Sequence, residues 1–175
     1  MSTLVFDLET QHLAEEVGGW NHIADMKLAC AVTYDIAVGQ FADYVEADAD
    51  QLLADLRAAT LVVGFNVKHF DYKVLRPYAG APLQLPTLDL LETLYQTLGF
   101  RLSLDAVASA TLGHSKSADG VLAVQWYKQG QLQKMLDYCR QDVQVTREVY
   151  EYGGRHKHVK YRDKFGRVKM VKVKW

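Results

Sequence analysis

The sequence predicts a single three-layer α/β domain with a mixed central sheet, and the order of its apolar segments supports that prediction. Short runs typical of strands come first, and segments with helical periodicity then alternate with further strands. A chain of 175 residues suits one domain with its own core. Residues 155–175 differ, because alternating apolar and basic residues around a glycine predict a β-hairpin.

Most of the predicted strands lie before residue 65, where apolar and β-branched residues form short runs between turn residues. Gly39 separates two of these runs, which indicates a hairpin. Residues 11–25 have a mixed pattern and are expected to form an irregular excursion. Strands are expected over residues 4–8, 27–36, 40–46 and 60–64, and a helix over 48–59 that Asp48 or Asp50 could cap.

Helices dominate the next part of the chain, and glycine or proline marks most of their expected ends. Ser103 is a residue type that begins helices, and Gly113 is one that ends them. The longest helix is expected to stop at Gly153, because two glycines follow one another there. The helices are expected over residues 70–78, about 90–99, 103–112, 119–130 and 131–152, with a strand or extended segment over 85–90.

The composition is that of a globular protein without a membrane-spanning segment. Apolar residues make up 49% of the chain and charged residues 23%, both ordinary values. No apolar run reaches the ~18 residues that a transmembrane helix needs. The first residues lack the basic and apolar regions of a signal peptide. Cys30 and Cys139 have no metal-binding or disulfide spacing and are interpreted as small core residues, which favours a cytoplasmic protein.

The charge is distributed unevenly along the chain. Residues 155–175 contain nine Lys or Arg and one Asp, a formal charge of +8. Because the whole chain carries −1, residues 1–154 carry −9. A strongly basic segment indicates a polyanionic partner such as the phosphate backbone of a nucleic acid. The alternative is a charged edge that discourages strand-to-strand aggregation.

Two acids stand close together at the end of the first predicted strand. Strand side chains alternate between faces, so Asp7 and Glu9 point the same way while Leu8 points into the core. Two neighbouring carboxylates repel each other, and burial strengthens the repulsion. A divalent cation such as Mg²⁺ or Mn²⁺ offsets it best, although a solvated strand end remains the alternative.

Further acids follow at two other places. Asp71 begins a predicted helix just after a buried strand, where it could also act as a simple partner of the helix dipole. Tyr138 and Asp142 are four residues apart on the longest helix, so they share one face beside its apolar stripe. A tyrosine and an acid at this spacing can equally form an ordinary surface pair.

Together these segments resemble the DEDD family of 3′→5′ exonucleases. Asp7-Leu8-Glu9 matches the Asp-x-Glu motif of its first strand, and residues 66–71 match its second motif of Asn, an aromatic and Asp. Tyr138-Cys139-Arg140-Gln141-Asp142 matches the third motif of the tyrosine branch, DEDDy. The histidine branch would need His at position 137, which is Asp. Residues 113–152 look similar to exonuclease domains related to family B DNA polymerases and to domains found beside some helicases.

The resemblance implies a ribonuclease H-like fold and hydrolysis of phosphodiester bonds with two divalent cations, Mg²⁺ or Mn²⁺. Asp7 would bridge the two ions, and Glu9 and Asp142 would complete the site of the attacking water. Asp71 would hold the second ion near the leaving oxygen. Tyr138 would orient the water, since a phenol with an ordinary pKa near 10 is a poor general base.

Substrate-binding residues are expected beside these acids. Thr10 and Asn66 could hydrogen-bond the last sugar or phosphate, and Phe70 could stack on a base or pack in the core. Lys116 could meet a phosphate or lie solvated in a loop. Asp89 is a fifth acid near a strand end, without an assigned role.

The expected function is release of nucleoside 5′-monophosphates from the 3′ end of single-stranded DNA. Nothing in the motifs separates DNA from RNA, because recognition of the 2′-OH depends on pocket shape. The alternatives are an RNA-processing 3′→5′ exoribonuclease and a non-catalytic nucleic-acid-binding adaptor. Residues 1–154 would form the exonuclease domain and residues 155–175 a hairpin extension of it. No membrane partner is expected, and the sequence identifies no helicase or polymerase partner.

Overall fold

The computed structural model describes residues 2–113 and 120–175 and contains a mixed five-stranded sheet with the first strand at its centre. The strands lie in the order β3-β2-β1-β4-β5. β1 pairs antiparallel with β2 and parallel with β4, and β4 pairs parallel with β5. The strands are β1 (Thr3–Thr10), β2 (Leu28–Asp35), β3 (Gln40–Val45), β4 (Leu61–Gly64) and β5 (Thr87–Asp89).

Helices cover both faces of this sheet, which confirms the predicted three-layer α/β architecture. Two 3₁₀ helices, Ala14–Val17 and Trp20–Met26, occupy the excursion after β1, and a third spans Glu46–Asp48. A separate two-stranded hairpin follows the last helix. The α-helices are α1 (Ala49–Ala58), α2 (Asp71–Ala79), α3 (Leu90–Leu98), α4 (Leu104–Leu112), α5 (Gly120–Lys128) and α6 (Leu132–His156), and the hairpin strands are β6 (His158–Arg162) and β7 (Val168–Lys172).

The alternation of β1 divides the core into two clusters. Phe6 belongs to a cluster with Leu52 and Leu75, which come from α1 and α2 on one face of the sheet. Val5 belongs to the other cluster, together with Val143 of α6. Both faces of β1 are therefore covered, and its odd-numbered residues face α6. Asp7 and Glu9 are two and four residues beyond Val5, so strand geometry directs them toward that helix.

The hairpin packs onto the same core that surrounds α6. Val159, Tyr161, Val171 and Val173 are buried and join the cluster that contains Val5. The Thr111 hydroxyl of α4 donates to the carbonyl oxygen of Lys160 at 2.9 Å and accepts from its amide at 2.9 Å. This reciprocal pair fixes β6 on α4, since both polar groups of one strand residue are engaged.

The prediction that the longest helix stops at Gly153-Gly154 is wrong. α6 continues to His156, and Lys157 ends it with a left-handed backbone, φ 60°. The glycine serves packing, because a Cβ at Gly153 would lie 2.5 Å from Nε1 of Trp175. Trp175 Nε1 also donates to the carbonyl oxygen of Tyr150 at 2.9 Å. Tertiary packing therefore outweighs the low helix propensity of glycine.

Smaller differences concern helix ends. Asp48 precedes α1 but its side chain makes no cap bond to that helix, and it accepts instead from the amide of Val45 at 3.0 Å. α5 begins at Gly120 among the described residues, and the alternative start at Asp119 lies outside them. Of the helices in the described ranges, none combines the length and apolarity needed to cross a membrane.

Gly153 and Gly154 provide a matched pair of substitutions. Gly153→Ala should lower the free energy of unfolding by about 1–3 kcal/mol, because the new methyl group overlaps the Trp175 ring. Gly154→Ala should be neutral or stabilising by up to ~1 kcal/mol, because the nearest atom would be Trp175 O at 3.9 Å and alanine favours helix. Urea denaturation of both variants checks this. Equal effects would contradict the packing explanation for Gly153.

Candidate active site

Three acids from distant parts of the chain meet between β1 and α6. Asp7, Glu9 and Asp142 each offer a carboxylate oxygen, and these atoms lie within 4.8 Å of one another. Glu9 and Asp142 are buried, and Asp7 is half-buried. Strand alternation brings Asp7 and Glu9 to one face of the sheet, and α6 crosses that face. The structure thus assembles a compact acidic cluster from two of the segments identified in the sequence.

Tyr138 lies next to this cluster on α6. Its side chain is hydrogen-bonded to Asp142, one turn further along the helix. The Trp126 ring packs edge-on against it with ring centroids 5.7 Å apart. Burial raises the pKa of Tyr138 well above its ordinary value, and the negative charges of Asp142, Glu9 and Asp7 raise it further. In the cation-free protein Tyr138 is therefore a neutral phenol that can donate or accept a hydrogen bond.

The thiol of Cys139 contacts Asp7, the first acid of the cluster. Cys139 Sγ donates to the carbonyl oxygen of Asp7 at 3.3 Å and lies 3.7 Å from its Oδ2. Burial raises the pKa of the Cys139 thiol, and the neighbouring Cys30 adds to the rise. Cys30 pairs with Glu9 across the β1–β2 ladder, which brings the two thiols together. The prediction that both cysteines are buried is confirmed, but their contact with the acidic cluster was not predicted.

Asp71 lies outside the three-acid cluster. Among the described residues, the group of acids with oxygens within 4.8 Å of one another does not include it. It is buried at the start of α2, and its Oδ1 accepts from the amide of Leu8 at 3.2 Å. Asp71 is thus tied to the main chain between the two acids of β1. Burial raises its pKa to about 7, and the negative charge of Asp89 adds to the rise.

Asp89 organises the loop between β4 and α2. Its carboxylate accepts from the amides of Asn66 at 2.9 Å, Lys68 at 3.1 Å and Glu92 at 3.2 Å. The two loop amides, Asn66 and Lys68, hold the loop in a fixed shape at this buried carboxylate, and the Glu92 bond caps the start of α3. The structure therefore gives this acid a role as a backbone acceptor, which sequence reasoning left unassigned. Its position at a strand end was visible in the sequence, but its donors come from separate segments.

Asn66 lies in the loop that follows β4, the strand parallel to β1. Its φ is 72°, in the left-handed region where asparagine is tolerated better than most residues. Its Oδ1 accepts from Arg101 Nη2 at 2.8 Å. The chain passes close to β1 just before this turn, because a Cβ at Gly64 would lie 3.0 Å from the carbonyl oxygen of Phe6. Asn66 thus links the loop after β4 to the loop between α3 and α4, which contains Arg101.

A groove of about 290 Å³ opens beside Glu9. Thr10, Trp20 and Phe70 contribute to its walls, and the Trp20 and Phe70 rings have centroids 6.3 Å apart. Trp20 is 70% exposed, so its ring is available to a ligand rather than committed to the core. The Thr10 hydroxyl donates to the carbonyl oxygen of His12 at 2.9 Å. Lys116, the other expected substrate-binding residue, lies outside the described residues.

Comparison with known proteins places the chain in a family. A family model described as the RNase_H superfamily matches residues 4–153. The chain belongs to the RNase H superfamily. The match ends in the last turn of α6, before the hairpin, and it covers most of β1 and of α6. Membership and the acidic cluster together support a nuclease that acts on nucleic acid.

A comparison with solved structures shows a similar fold. No curated protein matches the sequence. The structure of the family B DNA polymerase from the hyperthermophilic archaeon Pyrobaculum calidifontis is similar to this RNase H-superfamily chain, with a TM-score of 0.64 and 14% identity. The match covers 87% of the present chain and 24% of the polymerase chain. At this identity the likeness shows a shared fold.

The donor set fits a divalent cation. Oxygen ligands alone are the preference of Mg²⁺ and Mn²⁺, and the three carboxylates of the cluster supply such ligands. Like charges brought together at a largely buried position destabilise the folded state. A bound cation would relieve this repulsion, so folding and cation binding should be linked in this RNase H-superfamily chain.

Thermal unfolding tests that linkage. MnCl₂ should raise the Tm saturably, because a ligand at a hundred times its Kd stabilises by about 2.7 kcal/mol. Asp142→Asn should reduce the shift strongly. Asp137→Asn is the control, since Asp137 is exposed on the same helix and accepts from Gln133, its neighbour on that helix. A shift of equal size in wild type and Asp142→Asn would place the cation elsewhere.

The buried Asp71 predicts a pH dependence in the presence of a chelator. Its pKa of about 7 lies above the ordinary 3.8, so the unfolded state loses this proton first as the pH rises. The stability from the protonated carboxyl is present at low pH and lost as the pH rises toward 7. Asp71→Asn keeps an oxygen acceptor for Leu8 and should flatten this decline. Parallel stability profiles of the two proteins between pH 5 and pH 8 would contradict the prediction.

Proposed function

We propose that the chain is a metal-dependent 3′→5′ exonuclease that hydrolyses phosphodiester bonds at the 3′ end of single-stranded DNA and releases nucleoside 5′-monophosphates. One observation carries the proposal. The acids of β1 and of α6 meet within 4.8 Å, and the neutral hydroxyl of Tyr138 is bonded to one of them. This is the arrangement expected of the tyrosine branch of the DEDD family, to which the three motifs point.

The chain's acids would hold two cations. Asp7, Glu9 and Asp142 form the compact set that suits one of them. Asp71 would contribute to the second, since it is fixed against the backbone of Leu8 between the two acids of β1. Bound Mg²⁺ or Mn²⁺ would activate water and neutralise the charge that develops on the phosphate and the leaving oxygen.

Tyr138 would orient the attacking water. Its raised pKa keeps the proton on the phenol, so the hydroxyl acts through hydrogen bonds alone. The bond to Asp142 and the edge contact with Trp126 would favour one orientation of the ring. A group that is held rigidly costs little reorganisation during reaction, which is how a positioned hydrogen bond accelerates a reaction.

The groove beside Glu9 would take the terminal nucleotide. Trp20 and Phe70 provide aromatic surfaces for a base, and stacking of this kind contributes ~1–3 kcal/mol per base. Thr10 lies in the same wall, next to Glu9. Asn66 would contact the sugar or phosphate, with its amide orientation set by the bond from Arg101.

The hairpin would belong to the same domain as the catalytic part. Its buried residues join the core cluster that includes Val5 and Val143, and the Thr111 side chain holds its first strand on α4. We therefore propose residues 1–154 as the exonuclease part and 155–175 as an extension of that domain.

A digestion assay tests the function. A 5′-labelled single-stranded DNA incubated with Mn²⁺ or Mg²⁺ should shorten in a stepwise ladder that disappears with EDTA and with Asp7→Asn. Tyr138→Phe should lower kcat by about 10²–10³-fold, the typical loss for a positioned hydrogen-bonding group. Tyr95→Phe, a change at a half-exposed tyrosine of α3, is the control.

The other outcomes of the assay separate the alternatives. Digestion of RNA but not DNA would identify an RNA-processing exoribonuclease. Binding of oligonucleotides without release of mononucleotides under any metal condition would indicate a non-catalytic adaptor. Internal cleavage of a circular single strand would contradict the proposed action at 3′ ends.

A further inference from the structure

We infer that the tip of the β6–β7 hairpin and the α3–α4 loop form a stacking cradle for unpaired bases of the substrate strand, outside the acidic cluster. The inference rests on the proposed function, because it assumes a single-stranded nucleic acid substrate. The cradle would be a second binding surface, besides the groove proposed for the terminal nucleotide. The basic residues of the hairpin would then bind the phosphates of the substrate strand.

The cradle is a groove of about 580 Å³. Aromatic and basic side chains alternate around it, a pairing that suits bases and the phosphates between them. The side chains that matter are Phe100, Phe165, Arg101, Arg162, Lys164 and Lys169.

The aromatic rings of the cradle are presented to solvent. Phe165 at the hairpin tip is 67% exposed, and Phe100 in the α3–α4 loop is 46% exposed. The Phe100 ring leans edge-on against the buried Tyr161 at 5.9 Å between centroids, which supports it from the core side. Lys164 and Arg167 lie over the Phe165 ring at 5.1 and 4.9 Å from its centroid. The Phe165 ring and the two cationic side chains are therefore close enough to contact the same nucleotide of a bound strand.

The acid of the hairpin tip is committed to the turn. Asp163 accepts from the amides of Phe165 at 2.9 Å and Arg167 at 3.0 Å. It also forms an ion pair with Arg167 Nε at 2.8 Å. These bonds give the tip a defined shape and neutralise its negative charge, so the groove presents a net positive surface to a ligand.

The cradle connects to the candidate active site through Arg101. This residue lines the groove, and its Nη2 donates at 2.8 Å to Oδ1 of Asn66, in the loop that follows β4, the strand parallel to β1. A strand held at the cluster could therefore continue past Arg101 to the hairpin. The Thr111 hydroxyl binds both backbone groups of Lys160 and so holds β6 on α4, which reduces the ordering that strand binding would require of the hairpin.

Single-stranded nucleic acid is the occupant that this chemistry favours. Stacking on aromatic rings needs unpaired bases, and the lysines and arginines match a phosphate backbone. A second copy of the chain would bring the same positive charge to the groove, so self-association through this surface is disfavoured.

Binding without catalysis tests the cradle. Anisotropy of a fluorescein-labelled 12-mer of thymidylate is measured with the full chain in EDTA, where no digestion takes place. Phe165→Ala should weaken binding by about 5- to 150-fold, the equivalent of one lost stacking contact. Phe165→Trp should restore it. Lys164→Gln should lower the slope of log affinity against log salt by about 0.7, the value for one phosphate on a single strand.

Controls separate this result from effects on folding and on catalysis. Met170→Ala removes another exposed apolar side chain of the same hairpin that does not line the groove, and it should leave affinity unchanged. Phe165→Ala should leave hydrolysis of the p-nitrophenyl ester of thymidine 5′-monophosphate unchanged, since a single nucleotide would occupy the cluster and the groove beside Glu9, which Phe165 does not line. A catalytically inert chain that still shows the Phe165 effect would overturn the proposed function and leave the cradle standing.

Two results would overturn the cradle. One is equal affinity of wild type, Phe165→Ala and Met170→Ala for the 12-mer. The other is a dimer of the wild-type chain in sedimentation that Phe165→Ala dissociates without a change in DNA affinity, which would assign the surface to self-association.

Discussion

The carboxylates of Asp7, Glu9 and Asp142 lie close together between β1 and α6, where they are largely buried. The packing of α6 on β1 imposes this arrangement. Strand alternation directs Asp7 and Glu9 to one face, and the crossing of α6 brings Asp142 to them. The same crossing supplies the tyrosine whose proton these charges retain and the thiol that contacts the Asp7 carbonyl. Repulsion among the acids lowers the stability of the cation-free fold, and it is also the source of affinity for a divalent cation.

The sequence predicted the elements whose patterns are local. The alternation in β1, the hairpin around Gly39 and the helix between Ser103 and Gly113 all lie where the periodicity indicated. The acid pair and the tyrosine–acid pair were predicted by the same means, because period 2 in strands and period 3.6 in helices fix which side chains share a face. Placing the two pairs together required the resemblance to a known family as well.

Contacts between distant segments were beyond the reach of such patterns. Besides its local N-cap bond to Glu92, Asp89 accepts from two amides of the β4–α2 loop, more than 20 residues away, and nothing in the sequence around the acid identifies those donors. Gly153 was misinterpreted for a related reason, since a helix-ending glycine and a glycine that admits a tryptophan ring look alike in a sequence. Arg101 and Asn66 are 35 positions apart, and only the folded chain shows that they meet.

The pairing of β1 also constrains how the length of this chain can change. Odd positions of the strand face the acidic cluster and even positions face the apolar layer beneath α1 and α2. Inserting or deleting one residue between Thr3 and Asp7 would exchange these faces and bury the two carboxylates of β1 in the apolar layer beneath α1 and α2. The turn around Gly39 joins β2 and β3 at the surface, and a change in its length does not alter which residues of β1 face the cluster. Length variation among related sequences should therefore concentrate in that turn, while β1 keeps a constant number of residues before its first acid.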